Sequence, residues 1–411
     1  MILAQVLFWY IYNFSFKNNK ILFLITILIG LFAAFLASLG VGLLVPTISS
    51  LINDNSTNYF FVILNQVLAF FSLEYNIFNS LLIASSIIFL GDLFAYISSI
   101  TSSYLTKVAL VDSRTILFKI ILYEDFKNII ENKTGEIISI VNEQASLASE
   151  IIESFFRLIL NTLFAIFLII ALCFISIDLT LLSIVIGTFV LLSQHKIYSL
   201  FRVYWRSWQE KKIELTTYYN DLINSIKFIK QTGREELKEI ELKKMSINEG
   251  RVIFKALIYK YLSPFYTKGI ATWLIFCIVI VGLEFFNSTG PQILIFLIIV
   301  RKLQSSVNQI NLAFIDISKS YINVNIIKKY LNQTKKTKIK YGSKNFELTK
   351  GIELKNLLLK YNDKLVLNGL SLKIPAKSFF SIVGGSGSGK TSIFNIFSRI
   401  VQQNDGCIMI D

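Results

Sequence analysis

Residues 379–392 read Phe-Phe-Ser-Ile-Val-Gly-Gly-Ser-Gly-Ser-Gly-Lys-Thr-Ser. Gly384, four residues, then Gly389-Lys390-Thr391 complete the phosphate-loop pattern. Glycines let consecutive backbone N–H groups curl around phosphate oxygens with no Cβ in the way. Lys390 places a cation on the β- and γ-phosphates, and the Thr391 hydroxyl can ligate Mg²⁺. The candidate nucleotide contacts are therefore Gly384, Gly385, Ser386, Gly387, Ser388, Gly389, Lys390, Thr391 and Ser392. The flanks suit the motif. Phe379–Val383 is expected to be a short buried strand. Ile393, Phe397, Ile400 and Val401 then recur at helical spacing, so a helix start faces the same phosphates.

Upstream, Ile352–Tyr361 and Leu365–Ile374 alternate enough to be strands, with Asn362-Asp363 as their turn. Before them, Lys328 to Lys344 holds seven lysines and no acid, the composition of a solvated linker beside anionic headgroups.

The rest of the chain is of another kind. Over 411 residues, 54% are hydrophobic and only 17% charged, with a mean hydropathy of +0.59. That excludes a disordered chain, a disulfide scaffold and an ordinary soluble enzyme. A bilayer core of about 30 Å needs about 20 apolar residues in helix. Six stretches qualify: Ile21–Ile52, Ile77–Thr106, Leu158–Ile177, Leu179–Gln194, Tyr261–Leu283 and one running from Pro291 toward Ile315. Met1–Tyr12 is apolar and aromatic, as in a helix lying along the membrane surface.

Charge sets the orientation, because Lys and Arg gather in cytoplasmic loops. The net charge is +14, from 41 basic and 27 acidic residues. The loop from Asn53 to Asn76 has Asp54 and Glu74 but no Lys or Arg, whereas residues 195–262 carry fourteen Lys/Arg against eight Asp/Glu. Both termini and both long connections are thus expected on the cytoplasmic side. Those connections, 107–157 and 195–260, lack Pro and are rich in helix formers, so they are expected to be helices running past the bilayer. Turns are expected at Asn132-Lys133-Thr134-Gly135 and Gln231-Thr232-Gly233. Three scattered cysteines (Cys173, Cys277, Cys407) and one histidine (His195) form neither a metal pattern nor a disulfide framework.

Six spans with inward helical extensions, followed by Tyr361, LVLNGLSLKIP and SIVGGSGSGKTS, resemble an ABC exporter half-transporter over nearly the whole chain. TGE at Thr134–Glu136 and INSIKFIKQTGRE at Ile223–Glu235 are similar to the inward helices of that family. The resemblance implies a mainly α fold: a six-helix transmembrane domain with long cytoplasmic extensions, followed by the N-terminal part of an α/β P-loop ATPase domain. The expected organisation is an interfacial segment at 1–20, the six-span domain at 21–327, a basic linker at 328–350 and a partial nucleotide-binding domain at 351–411. The resemblance also implies ATP and Mg²⁺ as cofactors and Tyr361 as the aromatic that stacks on adenine. It implies short coupling helices near Asp125–Asn132 and Glu210–Thr217. As partners it implies a second half-transporter, identical or not, together with membrane lipids and a transported substrate, but no nucleic acid. The implied location is the bacterial inner membrane.

A looser likeness, in GVGLLVPTISSL and VRKLQSSVNQI, is to bacterial lipid-linked oligosaccharide flippases; Leu39 and Gln304-Ser305 depart from that pattern. The hydrophobic strand ending in Asp-Glu, the LSGGQ signature and the switch histidine of the family do not occur before Asp411. The chain is accordingly expected to be part of a longer exporter and to hold no catalytic residue of its own. The other classes compatible with spans plus a phosphate loop are a membrane-anchored P-loop kinase or regulator and a nucleotide-gated channel.

Lys268 falls toward the start of the fifth expected span, and three further charges fall within spans: Asp92, Arg301 and Lys302. Arg301 and Lys302 lie about 15 Å past Pro291 at 1.5 Å per residue. Buried charge is costly and usually faces a bundle interior. These three are the candidate cavity residues, with Arg301 or Lys302 meeting an anionic group such as a lipid phosphate and Asp92 as resting partner; the alternative is that the cations snorkel to an interface.

Overall fold

A computed structural model describes residues 2–51, 59–123, 134–284, 290–334, 348–361, 364–385 and 387–411. The helices are α1 (Ile2–Ile11), α2 (Lys20–Leu51), α3 (Tyr59–Phe70), α4 (Ile77–Tyr123), α5 (Thr134–Ser139), α6 (Ala145–Cys173), α7 (Ile177–Ser193), α8 (His195–Asn224), α9 (Ile226–Thr232), α10 (Glu235–Glu284), α11 (Gly290–Thr334) and α12 (Lys390–Phe397). The strands are β1 (Gly351–Tyr361), β2 (Lys364–Pro375) and β3 (Asp405–Ile410). The chain divides into two compact units. The first comprises Met1–Ser113, Gln144–Leu215 and Ile229–Ile326; the second comprises Arg114–Glu143, Thr216–Phe228 and Ile327–Asp411.

Among the described residues, five helices are long and apolar enough to cross a membrane: α2, α4, α10, α11, and α6 together with the helical residues before it from Ile137. The protein is an integral membrane protein. The expected fourth span is α7, whose 17 residues rise about 25 Å. It passes almost directly into α8 across Gln194. The 47 residues of α4 and the 50 of α10 carry these helices far beyond a 30 Å core, as the helix-rich connections predict.

Backbones meet closely in the spans. A Cβ on Gly91 of α4 would stand 2.6 Å from Ala37 N, and one on Gly40 of α2 would stand 2.9 Å from Ile88 N. Small residues at such crossings let membrane helices associate by packing where water provides no drive. One segment departs from expectation: residues 59–70, taken for part of an outer loop, form α3. The reason is a stripe at i, i+4, i+8, since Phe60, Leu64 and Leu68 are all buried. Leu64 and Leu68 join Leu43, Ile83 and Ala84, and Phe60 lies over Gly42. The NDNST stretch beside α3 lies outside the described residues.

Toward the long connections, on the side termed inward, aromatic and ionic contacts take over. Phe201 and Trp205 of α8, Ala256 of α10 and Ile315 of α11 form one core. Tyr204 stacks on Tyr259 at 5.5 Å and 9°. Arg157 of α6 reaches Asp316 of α11 at 3.1 Å and Glu153 at 3.3 Å. Lys319 pairs with Glu150 at 3.0 Å and stands over the Trp205 ring.

The second inward connection turns where Gly233 adopts a φ of 62°, as expected. The short helix beside that turn is α9, however, and not Glu210–Thr217, which lies inside the unbroken α8. Residues 210–217 contain no breaker; the helix ends only at Asn224-Ser225, where the Ser225 hydroxyl bonds Asp221 O. The other expected coupling helix, Asp125–Asn132, lies outside the described residues, as do Asn132-Lys133 of the first turn, Asn362-Asp363 and residues 335–347 of the linker.

In the second unit the strand order is β2-β1-β3, antiparallel throughout. Leu354, Leu357, Leu359 and Leu367 bury one sheet face against Ile393, Ile396 and Val401. A bulge at Lys355-Asn356 interrupts β1, and the Asn356 amide donates to Ser371 Oγ at 3.0 Å. Gly406, at φ 87°, passes so close to that bulge that a Cβ would stand 2.5 Å from Lys355 O. The Asp411 carboxylate accepts from the amides of Thr349, Gly351 and Lys350 at 2.6–2.9 Å, which holds its pKa down at about 2.

The expected strand Phe379–Val383 is a correction. These residues pair with no described strand, and Phe379 and Val383 are fully open. A buried strand needs a ladder neighbour, and none of the three described strands pairs with this segment.

Candidate nucleotide and cargo sites

The phosphate loop is built from two left-handed glycines and a helix start. Gly387 (φ 81°) and Gly389 (φ 88°) turn the chain into α12, with Gly389 as its N-cap. A Cβ on Gly389 would press on Val366 and Leu367 of β2 at 3.1–3.3 Å, and one on Gly384 would stand 2.7 Å from Ser388 Oγ. Gly389 thus requires glycine for conformation and for space, and Gly387 for conformation alone. Ile393 N–H donates to Gly389 O at 3.0 Å, so the N–H groups of Lys390, Thr391 and Ser392 precede the first intrahelical bond. Lys390 Nζ donates to Gly384 O at 2.7 Å and to Gly385 O at 2.6 Å. The lysine therefore arches back over the loop. Ser386 lies outside the described residues.

Tyr361 ends β1, opposite Lys364, and is half-buried against the sheet core. Gly389 packs on Val366, two residues further along β2, so the aromatic and the loop share one end of the sheet. The donor set fits a nucleotide triphosphate: loop amides, one ammonium, a threonine hydroxyl for Mg²⁺ and a nearby aromatic.

The membrane unit holds a second site. A cavity of about 630 Å³ opens among α2, α4, α10 and α11, and three cations line it: Lys268, Arg301 and Lys302. Gln304, Ser305 and Asn308 add polar groups, the remainder is aliphatic, and among the described residues no acid belongs to the lining. Arg301 donates to Gln304 Oε1 at 2.7 Å, and Lys302 stands 5.8 Å from the Phe164 ring centre. The structure thus brings Arg301 and Lys302 together with Lys268, a residue the sequence reading had placed near the start of a span without assigning it a role. Asp92 is not with them: it lies exposed on α4 and, among the described residues, forms no ion pair with either cation. Gly91 beside it is pressed on Ala37, which aims the next residue away from the α2 side.

The family described as ABC transporter transmembrane region matches residues 22–307, and the ABC transporter family matches residues 367–411. The ATP-dependent lipid A-core flippase of Haemophilus influenzae is 24% identical over 330 residues, 77% of this chain and 55% of its own length. The heterocyst differentiation ATP-binding protein HepA of Nostoc is 26% identical over 193 residues, 46% of this chain and 32% of its own. The phosphate import ATP-binding protein PstB of Saccharolobus solfataricus is 38% identical over 58 residues, 14% of this chain and 23% of its own. The chain spans between a third and just over half the length of the first two of these relatives.

Proposed function

Because the chain belongs to the ABC transporter family, we propose that it is the membrane half and phosphate-loop region of an exporter that uses ATP to flip an amphiphile with an anionic headgroup, a lipid or lipid-linked molecule, by alternating access. The carrying observation is the cavity: three cations and no acid among its lining residues, between helices that cross the membrane. Cations gathered in one cavity repel unless an anion joins them, and a phosphate accepts from Lys and Arg together. The aliphatic lining beside them suits the chain-bearing part of the same molecule. The flippase relatives support this direction, as lipid is what their name assigns to them.

At the other site the loop amides of residues 384–392 cradle the phosphates, Lys390 leaves its loop carbonyls for the β- and γ-phosphates, and Thr391 offers its hydroxyl to Mg²⁺. Tyr361 stacks on the base. Bound ATP supplies the free energy of phosphoanhydride cleavage for the transport cycle. A second half-transporter completes the assembly, in the bacterial inner membrane with the lysine-rich connections on the cytoplasmic side.

One experiment separates the two sites. The chain is held in nanodiscs, and binding of a fluorescent ATP analogue and of a fluorescent phosphate-bearing lipid is measured in parallel. Lys390→Ala should weaken the nucleotide by about ten-fold or more and leave the lipid unchanged. Arg301→Gln with Lys302→Gln should do the converse. Lipid binding indifferent to the double change would refute the cargo assignment; nucleotide binding indifferent to Lys390→Ala would refute the ATP site.

A further inference from the structure

A second polar feature of the membrane unit has no part in either site. Gln194, fully buried, stands between α7 and α8. Its Oε1 accepts from the hydroxyls of Tyr198 and Ser263 (3.1 Å for Ser263), and its Nε2 donates to Thr267 Oγ1 at 3.3 Å. Asn311 of α11, also buried, lies 2.7 Å from Tyr198 Oη through one end of its amide and 3.5 Å from Thr267 Oγ1 through the other. One phenolic proton cannot serve the carbonyl oxygens of both Gln194 and Asn311. Turning the Asn311 amide resolves the conflict and closes a cycle. Tyr198 donates to Gln194, Gln194 to Thr267, Thr267 to Asn311, and Asn311 Nδ2 to Tyr198, each side chain giving once and receiving once. The Thr267 hydroxyl then exchanges its bond to Ser263 O (2.6 Å) for one to Asn311.

The position of this cycle gives it meaning. Thr267 is the residue before Lys268, and Asn311 is one helical turn beyond Asn308; Lys268 and Asn308 both line the cationic cavity. Pro264, inside α10, removes a backbone hydrogen bond at the same level. The cycle therefore joins the α7–α8 junction to α10 and α11 directly inward of the cavity, at the point where two of these elements are least stiff.

We propose that the Tyr198–Gln194–Thr267–Asn311 cycle is a positioning latch beneath the cavity, which holds α8 and α10 in register with α11. A closed buried cycle is stable only when every member is present, because opening it anywhere leaves buried donors or acceptors unpaired. It thus makes the junction two-state, closed or open, rather than continuously deformable.

The test needs neither nucleotide nor cargo, so its outcome is independent of the proposed transport function. In a chain whose Cys173, Cys277 and Cys407 are replaced by Ser, spin labels are placed at the exposed positions Val203 of α8 and Gln309 of α11. The labelled protein is diluted with unlabelled protein so that only distances within one chain are read. Thr267→Val keeps the shape and removes the hydroxyl; Thr267→Ser keeps the hydroxyl. The expected result is a broadened distance distribution for Val, an unchanged one for Ser, and an unchanged one for Thr272→Val, whose hydroxyl bonds only its own helix on the exposed face. Thr267→Val combined with Asn311→Leu should broaden it no further than either alone, since both open the same cycle. Equal broadening by Val and Ser would assign the effect to packing of the methyl group and overturn the latch, as would no broadening by Val or strictly additive broadening by the pair.

Discussion

The outer and inward halves of the helical bundle are held together by different chemistry. Toward the outer ends of α2, α3, α4, α6 and α11, contact is by shape: glycines against backbone, Phe60 over Gly42, and a core of Val, Leu, Ile and Phe. In the inward half α6 and α11, with α8 and α10, meet through stacked aromatics, ion pairs and buried amides. The difference follows from solvent. Lipid offers no hydrophobic drive between helices, so close packing must do the work there. Water beside the inward helices restores that drive for aromatics and screens the ions. Close-packed backbones have one register, whereas ionic and hydrogen-bonded partners can be exchanged. The outer half is built to stay together and the inward half to rearrange.

The contrast can be broken at single residues. The largest effect is expected at the inward core: Trp205→Ala should cost about 3–5 kcal/mol by opening a cavity among Phe201, Trp208 and Ala256, read as the shift in thermal unfolding in detergent. A smaller shift than that of the next variant would reverse the view that water-driven aromatic packing carries the inward half. Next is Gly42→Val, where even the first added carbon would lie 2.4 Å from the Phe60 ring; the overpacking should cost about 1–3 kcal/mol. It should also release α3, seen as faster hydrogen exchange at residues 59–70 alone. Arg157→Ala comes last. About a third of the Arg157 side chain is exposed, so its pairs with Asp316 and Glu153 should contribute at most about 1 kcal/mol, and the difference from wild type should fade in high salt. A salt-independent loss would place that pair with the fixed contacts of the outer half.

Much of this was legible beforehand because the signals were long. Apolar runs of sixteen residues or more locate the spans, and Gly384 to Thr391 locates the phosphate loop, since both patterns follow from local demands on the chain. Where the reading failed, partners distant in sequence decided. Residues 59–70 look like loop beside NDNST, but Gly42 provides the seat on which they fold. Phe379–Val383 has the composition of a strand, yet composition cannot provide a ladder neighbour. Lys268 and Gln194 carry no local pattern at all; they acquire roles only when α7, α8, α10 and α11 are brought side by side. The coupling helix expected at Glu210–Thr217 falls inside α8, because residues 210–217 hold no breaker; the chain first breaks at Asn224-Ser225 and turns at Gly233.

The length of α10 has a mechanical consequence. Some 26 residues, Glu235 to Lys260, precede the apolar part of this helix, an arm of about 39 Å at 1.5 Å per residue. Ser263, Pro264 and Thr267 sit at its fulcrum. A tilt of about 5° there, well within the scatter of helix packing angles, carries the far end of the arm through roughly 3 Å. A displacement of less than a bond length beneath the cavity is thereby magnified to the size of a side-chain contact at Glu235, with no change in the helix itself.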